Sequence, residues 1–324
     1  MRLKLVPQDT NIDFFKYARL TFGASIVAMV LSIGIWLAMG LNFGIDFLGG
    51  TTIRTESSQP VDVGAYRDAL TPLNLGDVSI TEVFDPTFDD DRHVAMIRIQ
   101  AQEGQESVTP ETVAAVQEAL RTVYPEMTFP SVESVGPKVS GELIITALIA
   151  VGASLVALLI YIWLRFEWQF SVGAVVALIH DIVLTIGVFS LLQIRFDLAT
   201  IAALLTIIGY SINDTVVIFD RLRENLIKYK QRDLREVMNL SANETLSRTL
   251  MTSGTTLLAL IALLVLGGDV IRGFVFAIFW GVIVGTYSSI YMAKNVVLMI
   301  GVKRDWSKPS SGGGGGTQFA NIDA

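Results

Sequence analysis

Three stretches place ionisable side chains inside runs that are otherwise apolar: IHDIV with His180 and Asp181, INDTV with Asp214, and LSRTL with Arg248. A charge at the centre of a membrane span costs about 3 kcal/mol on insertion scales, so such a residue is first read as functional. Asp214 stands six residues before Asp220. At about 1.5 Å per residue, that places it roughly 9 Å inside the charged end of its helix. Arg248 enters the next span from the same side, so the two are expected at similar depth. Desolvation favours the neutral carboxylic acid and a nearby guanidinium favours the carboxylate, so a small change in helix packing can load or release a proton. Arginine suits the cation role because it stays charged. The alternative is a static Asp214–Arg248 ion pair that pins two helices. Ser211, Asn213 and Thr215 read as helix-packing residues near this site, each worth about 1 kcal/mol or less. His180–Asp181 is either a proton relay or a hydrogen bond between helices, and both readings stand.

These residues need helices to hold them at membrane depth. The chain is 52% hydrophobic and 17% charged, with a mean hydropathy of +0.54, far from a soluble composition. Apolar runs near 20–40, 143–164, 170–192, 198–219, 250–267 and 273–299 approach or exceed the roughly 20 residues of a span, which predicts six transmembrane helices. Ala38-Met39-Gly40 resembles a cleavage site after the first run. That run is longer than the ~15-residue apolar core of a signal peptide, so it reads as a retained helix. Seven Lys and Arg fall between 220 and 249, against one each in QIRFD and GGDVIRG. Both termini and the 220–249 loop are therefore expected on the cytoplasmic side.

The expected organisation is a cytoplasmic tail (1–19), helix 1 (20–40), an extracytoplasmic domain (41–140), helices 2–6 (141–300) with a basic loop at 220–249, and a disordered cytoplasmic tail (301–324). Within 41–140, strands are predicted at 50–55, 77–84, 93–101 and 128–134 and helices at 61–70 and 109–123, where Thr109 can cap and Pro110 fits the first turn. The order β-α-β-β-α-β signals a ferredoxin-like α+β sandwich. Glycine-rich joints, GIDFLGGT (44–51) and VGPKVSGEL (135–143), flank it as turns or hinges. The 220–249 loop alternates charges at helical spacing and reads as one or two surface helices at the headgroups.

Several chemistries are disfavoured. The outer segment holds 16 Asp and Glu against six Lys and Arg, a net −10 in a chain of −7, which argues against a nucleic-acid ligand. The absence of Cys excludes thiolate catalysis and Cys-ligated metal sites, nothing around the two His has metal spacing, and no GxxxxGK[ST] motif offers an ATP engine. An intramembrane aspartyl protease would need Asp181 and Asp214 as a dyad, and neither lies in a glycine-flanked aspartyl motif.

GIDFLGGT, VGPKVSGEL, ALIHDIVLTIGVFSL, TIIGYSINDTVVIFDRLREN and LSRTLMTSGTTLLALIALLVLGGDVIRGF occur in this order. Together they resemble the SecF family, the smaller subunits of the bacterial SecD–SecF accessory complex of protein export, over residues 15–300. The resemblance implies half of a resistance-nodulation-division transporter, with six helices pairing with six from SecD in the bacterial inner membrane. It also implies a non-enzymatic subunit that needs no cofactor, uses protons as coupling ion, and pulls or releases preproteins after the SecA motor and SecYEG channel have started them across. On this resemblance Asp214 is the proton carrier and Arg248 its toggling partner, with Asp181 in the third-span motif. Gly44, Asp46, Gly49, Gly50, Gly136 and Gly141 fall at family motif or hinge positions. The competing readings are a half-transporter of the same superfamily exporting small molecules or lipids, and a passive scaffold.

Overall fold

The computed structural model describes residues 10–76, 78–83, 92–100 and 108–302. Residues 303–324 of the expected tail, and residues 1–9, lie outside the described residues. The first membrane helix, α1 (Ala18–Met39), ends at Gly40 and leads through a short strand β1 (Asn42–Phe43) and a single turn α2 (Ile45–Leu48) into the α+β domain. That domain runs β2 (Gly50–Ser57), α3 (Val63–Leu70), β3 (Val78–Val83), β4 (His93–Ile99), α4 (Pro110–Arg121) and β5 (Thr128–Val135). The chain then returns to the membrane helices α5 (Pro137–Arg165) and α6 (Trp168–Leu192), a short strand β6 (Arg195–Phe196), α7 (Leu198–Lys228), α8 (Leu234–Leu266) and α9 (Asp269–Ser288). A π-helical turn (Ser289–Ala293) links α9 to α10 (Lys294–Ile300). Among the described residues, six helices are long and apolar enough to cross a membrane, the last running Ile271–Ile300.

The α+β domain has the predicted element order, and its sheet is antiparallel in the order β3-β4-β2-β5. That is the ferredoxin-like arrangement, in which β2 and β4 are interior. Alternation explains the two faces. Ile53 pairs with Ile97 and Thr51 with Ile99, and this side packs on Tyr66 and Leu70 of α3 and Val116 and Leu120 of α4. Asp62 and Thr109 cap those helices by accepting from the backbone N–H of Ala65 and Thr112. The opposite face, with Thr52, Ser79, Met96 and Arg98, looks onto Arg195, Arg272 and Phe274 at the membrane-helix ends across a cleft of about 590 Å³.

Within the membrane part, α6, α7 and the last span are about half buried, whereas α1, α5 and α8 present most of their surface outward. Water does not drive apolar helices together in lipid, so close packing of small residues must. Gly281 and Gly285, a GxxxG pair on α9, abut α7: a Cβ at Gly281 would fall inside the Ile207 side chain, and one at Gly285 would stand 3.1 Å from Ser211.

The 220–249 run differs from expectation. It forms no separate surface helices: α7 and α8 continue as one hairpin, turning only between Lys228 and Leu234. The physical reason is that its apolar residues recur at helical spacing. Leu222, Leu226, Val237 and Met238 are buried in a cluster with Phe15, Phe166, Phe170 and Phe219. The charges of the run sit outside: Arg221 pairs with Glu244 at 2.7 Å, and Asp220 pairs with Arg165 at the end of α5 at 3.2 Å.

Candidate functional site

A polar seam runs through the packed centre of the membrane helices. Asp181 on α6 is fully buried, and its carboxylate has three partners. Oδ1 lies 2.9 Å from His180 Nδ1, and Oδ2 accepts from Ser211 Oγ of α7 at 2.7 Å and from Ser288 Oγ of α9 at 2.8 Å. One carboxyl group thereby ties three helices. Thr215 extends the seam, its Oγ1 2.9 Å from Ser289 Oγ. Ser289 opens the π-helical turn, a distortion that often marks functional sites. His180 stacks near Tyr287 with centroids 6.1 Å apart, and the Tyr287 hydroxyl donates to the Thr21 carbonyl of α1 at 3.0 Å.

Asp214 lies one helical turn from Ser211 on α7 and is 4% exposed. Contacts across the hairpin set its level. Tyr210 bonds Thr256, Arg221 pairs with Glu244, and Asn225 bonds Ser241. These antiparallel pairs put Asp214 opposite residues near 252, and Arg248 about one turn nearer the hairpin's turn. Asp214 stands six residues before Asp220, and α7 continues a further eight residues past that charge to Lys228. No Lys or Arg nitrogen stands within 4.0 Å of the Asp214 oxygens among the described residues. Arg248 itself is exposed on the outward face of α8. A contact ion pair, the static alternative, is absent from this arrangement.

The remaining predicted residues divide. Ser211 and Thr215 make hydrogen bonds at helix contacts, Ser211 donating to Asp181 and not Asp214, and Thr215 Oγ1 lying 2.9 Å from Ser289 Oγ. Asn213 is exposed and makes no side-chain hydrogen bond among the described residues, so it is not a packing residue within this chain. Its position, one residue before Asp214, turns it to the outer face of α7. At the first joint, Gly49 and Gly50 have φ of +70° and +118°, which favour glycine, and Gly44 caps α2 with an extended backbone. Gly136 caps α5, and Gly141 lies inside that helix with open space around it.

Sequence reasoning missed two features. Lys294 is 1% exposed inside the last span, and its Nζ has no hydrogen-bond partner among the described residues. The ammonium instead sits 4.7 Å from the Phe14 ring centroid and 5.2 Å from that of Phe15. Ser288 and Ser289 were also missed. The signal for them was a pair of small polar residues one turn after the GxxxG pair.

Comparison with known proteins matches this architecture. The chain matches the family described as "Protein export membrane protein SecD/SecF, C-terminal" over residues 115–303, and the "SecD/SecF GG Motif" over 34–61, which contains Gly49 and Gly50. It is 67% identical over 323 residues to the protein translocase subunit SecF of Cereibacter sphaeroides, covering 100% of this chain and 99% of the relative. It is 40% identical over 308 residues to that of Rickettsia rickettsii, covering 94% and 97%. Among solved structures it resembles SecDF of Thermus thermophilus with a TM-score of 0.81 and 37% identity, covering 91% of this chain and 39% of that one. A SecDF structure described as the super-membrane-facing form matches with a TM-score of 0.66 and 38% identity, covering 90% and 39%. A multi-pass membrane chain with a ferredoxin-like domain, matched nearly end to end at this identity, belongs to the SecF family of protein translocase subunits.

Proposed function

We propose that this chain is the proton-responsive half of a protein-export machine. With a SecD-type partner, it uses the proton gradient to pull or release preproteins on the outer side of the inner membrane, beyond the SecA motor and SecYEG channel. Asp214 carries the proton and Arg248 is the cation that competes for its carboxylate. Protons are the only coupling ion and no cofactor takes part. Both termini face the cytoplasm and residues 41–140 face the periplasm, as the seven Lys and Arg between 220 and 249 favour.

One observation carries this reading: a buried carboxylate midway along a 31-residue membrane helix, with its competing guanidinium about one turn away in register and exposed. A long arginine side chain spans one turn, so the pair can form and break with modest helix movement, which a proton carrier needs and a static pin does not. Each proton crossing supplies about 2.3 kcal/mol per 100 mV. The outward faces of α1, α5 and α8 leave room for a second set of helices. The SecDF chain, of which this one covers 39%, is long enough to contain them.

The test is Asp214→Asn, which keeps size and hydrogen bonding and cannot carry a proton. In the reconstituted translocation system, preprotein release driven by an imposed proton gradient should fall to the level seen without a gradient. Undiminished gradient dependence in a normally assembled complex rules out Asp214 as carrier.

A further inference from the structure

The first joint of the α+β domain is fastened to the start of α7. Asp46 Oδ2 accepts from the Leu198 backbone N–H at 3.0 Å, across 152 residues of sequence. Around this bond, Gly44 N–H donates to the Phe196 carbonyl at 2.7 Å and Asn42 Nδ2 donates to the Gln193 carbonyl at 2.9 Å. Asn42 and Phe43 pair in parallel with Arg195 and Phe196. Phe47 is buried against Phe196, with ring centroids 5.9 Å apart. The approach is close: a Cβ on Gly44 would stand 3.1 Å from that of Asp197.

A helix start leaves four backbone N–H groups without intrahelical partners and carries partial positive charge. At α7, Asp197 accepts from the N–H of Thr200 and Asp46 from that of Leu198, so one of the two anions comes from the first joint of the α+β domain. Only Gly49 separates α2 from β2, an interior strand of the sheet. Asp214 sits 16 residues further along the same α7, or about 24 Å. The second joint is more weakly tied, through Ser140 Oγ donating to the Ile45 carbonyl at 3.4 Å.

We infer that Asp46 is a positioning residue which transmits movement of α7 to the α+β domain through its bond to Leu198 N–H, so that the first joint acts as a clamp and not as a free hinge. This rests on the proton-coupling reading above for its purpose, though the clamp itself can be measured separately. A shift of α7 along its axis reaches β2 with no flexible linker between them.

The chain has no Cys, so spin labels can be placed cleanly at Ser58→Cys beyond β2 and Gln231→Cys in the α7–α8 turn. In the full chain assembled with its SecD-type partner in vesicles, the label-to-label distance is measured with and without a proton gradient, alongside hydrogen exchange at Leu198. A hydrogen bond to a carboxylate is worth about 1.5–3 kcal/mol, so Asp46→Ala should speed Leu198 exchange roughly ten- to hundredfold. It should also abolish the gradient-dependent distance change while leaving the resting distance in place. Asp46→Asn keeps an acceptor oxygen and should restore both. A gradient-dependent change that survives Asp46→Ala overturns the inference, as does unchanged Leu198 exchange. Should Asp46→Ala fail to assemble, Asp46→Ser carries the same two readouts. If the unsubstituted complex ignores the gradient, the proton-coupling reading fails, and Leu198 exchange alone decides the clamp.

Discussion

Replacing Asp181 with Ala removes the one group that bonds His180, Ser211 and Ser288 at 2.7–2.9 Å, and leaves three buried polar groups without it. Two scales bound the cost. Hydrogen bonds to charged groups in soluble proteins are worth about 1.5–3 kcal/mol each, an upper sum of roughly 4–9 kcal/mol. Interhelical bonds measured in membranes average about 0.6 kcal/mol, a lower sum near 2 kcal/mol, because the unfolded chain in lipid also finds partners. The second scale has the right reference state, and the full burial of Asp181 pushes above its mean. The expected loss is therefore about 2–4 kcal/mol. Ser288→Ala alone should cost about 1 kcal/mol. In an equilibrium unfolding assay in mixed micelles, the double variant should lose little more than Asp181→Ala alone, a coupling of about 1 kcal/mol between the two positions. Strict additivity, or an Asp181→Ala loss no larger than that of Ser288→Ala, would refute the reading of Asp181 as the knot of the three-helix centre.

Lys294→Met tests the buried amine against its two phenyl rings. Two desolvated cation–π contacts return about 2–4 kcal/mol, and burying an unpaired cation costs several, so unfolding stability should hold or rise by about 1–3 kcal/mol. A clear loss of stability would show that the rings dominate. Gly281→Ala, whose Cβ falls inside the Ile207 side chain, should lower stability by about 1–3 kcal/mol through overpacking. Gly141→Ala, with open space around it, should not, and equal effects of the two would contradict the α7–α9 packing argument.

Much of this architecture was legible in the chain because its signals are local. Alternation marked β2 and β4, Thr109-Pro110 marked the start of α4, and sustained apolarity marked the six spans. Asp214 and Asp181 stood out because a carboxylate in an apolar run is costly wherever it lies. What stayed hidden depends on register or on long-range contact. The extension of α7 and α8 was masked by charges that outnumber Leu222, Leu226, Val237 and Met238 in that run, although spacing and not count decides which face is buried. The one-turn offset of Arg248 follows from pairings such as Tyr210–Thr256, which no single segment encodes. The burial of Lys294 stayed hidden because nothing in its own segment shows that Phe14 and Phe15 cover it. The Asp46–Leu198 bond uses a backbone donor, so neither segment advertises its partner.

The central claim is that Asp214, and not the better-bonded Asp181, is the carboxyl that changes protonation when a gradient is applied. Difference infrared spectroscopy on the reconstituted complex, stepping the gradient on and off, measures this directly through the carbonyl band of a protonated carboxylic acid. The account predicts a gradient-dependent band that disappears in Asp214→Asn and persists in Asp181→Asn. A band that survives Asp214→Asn unchanged and vanishes with Asp181→Asn would contradict it, and would move the proton site to the three-helix knot.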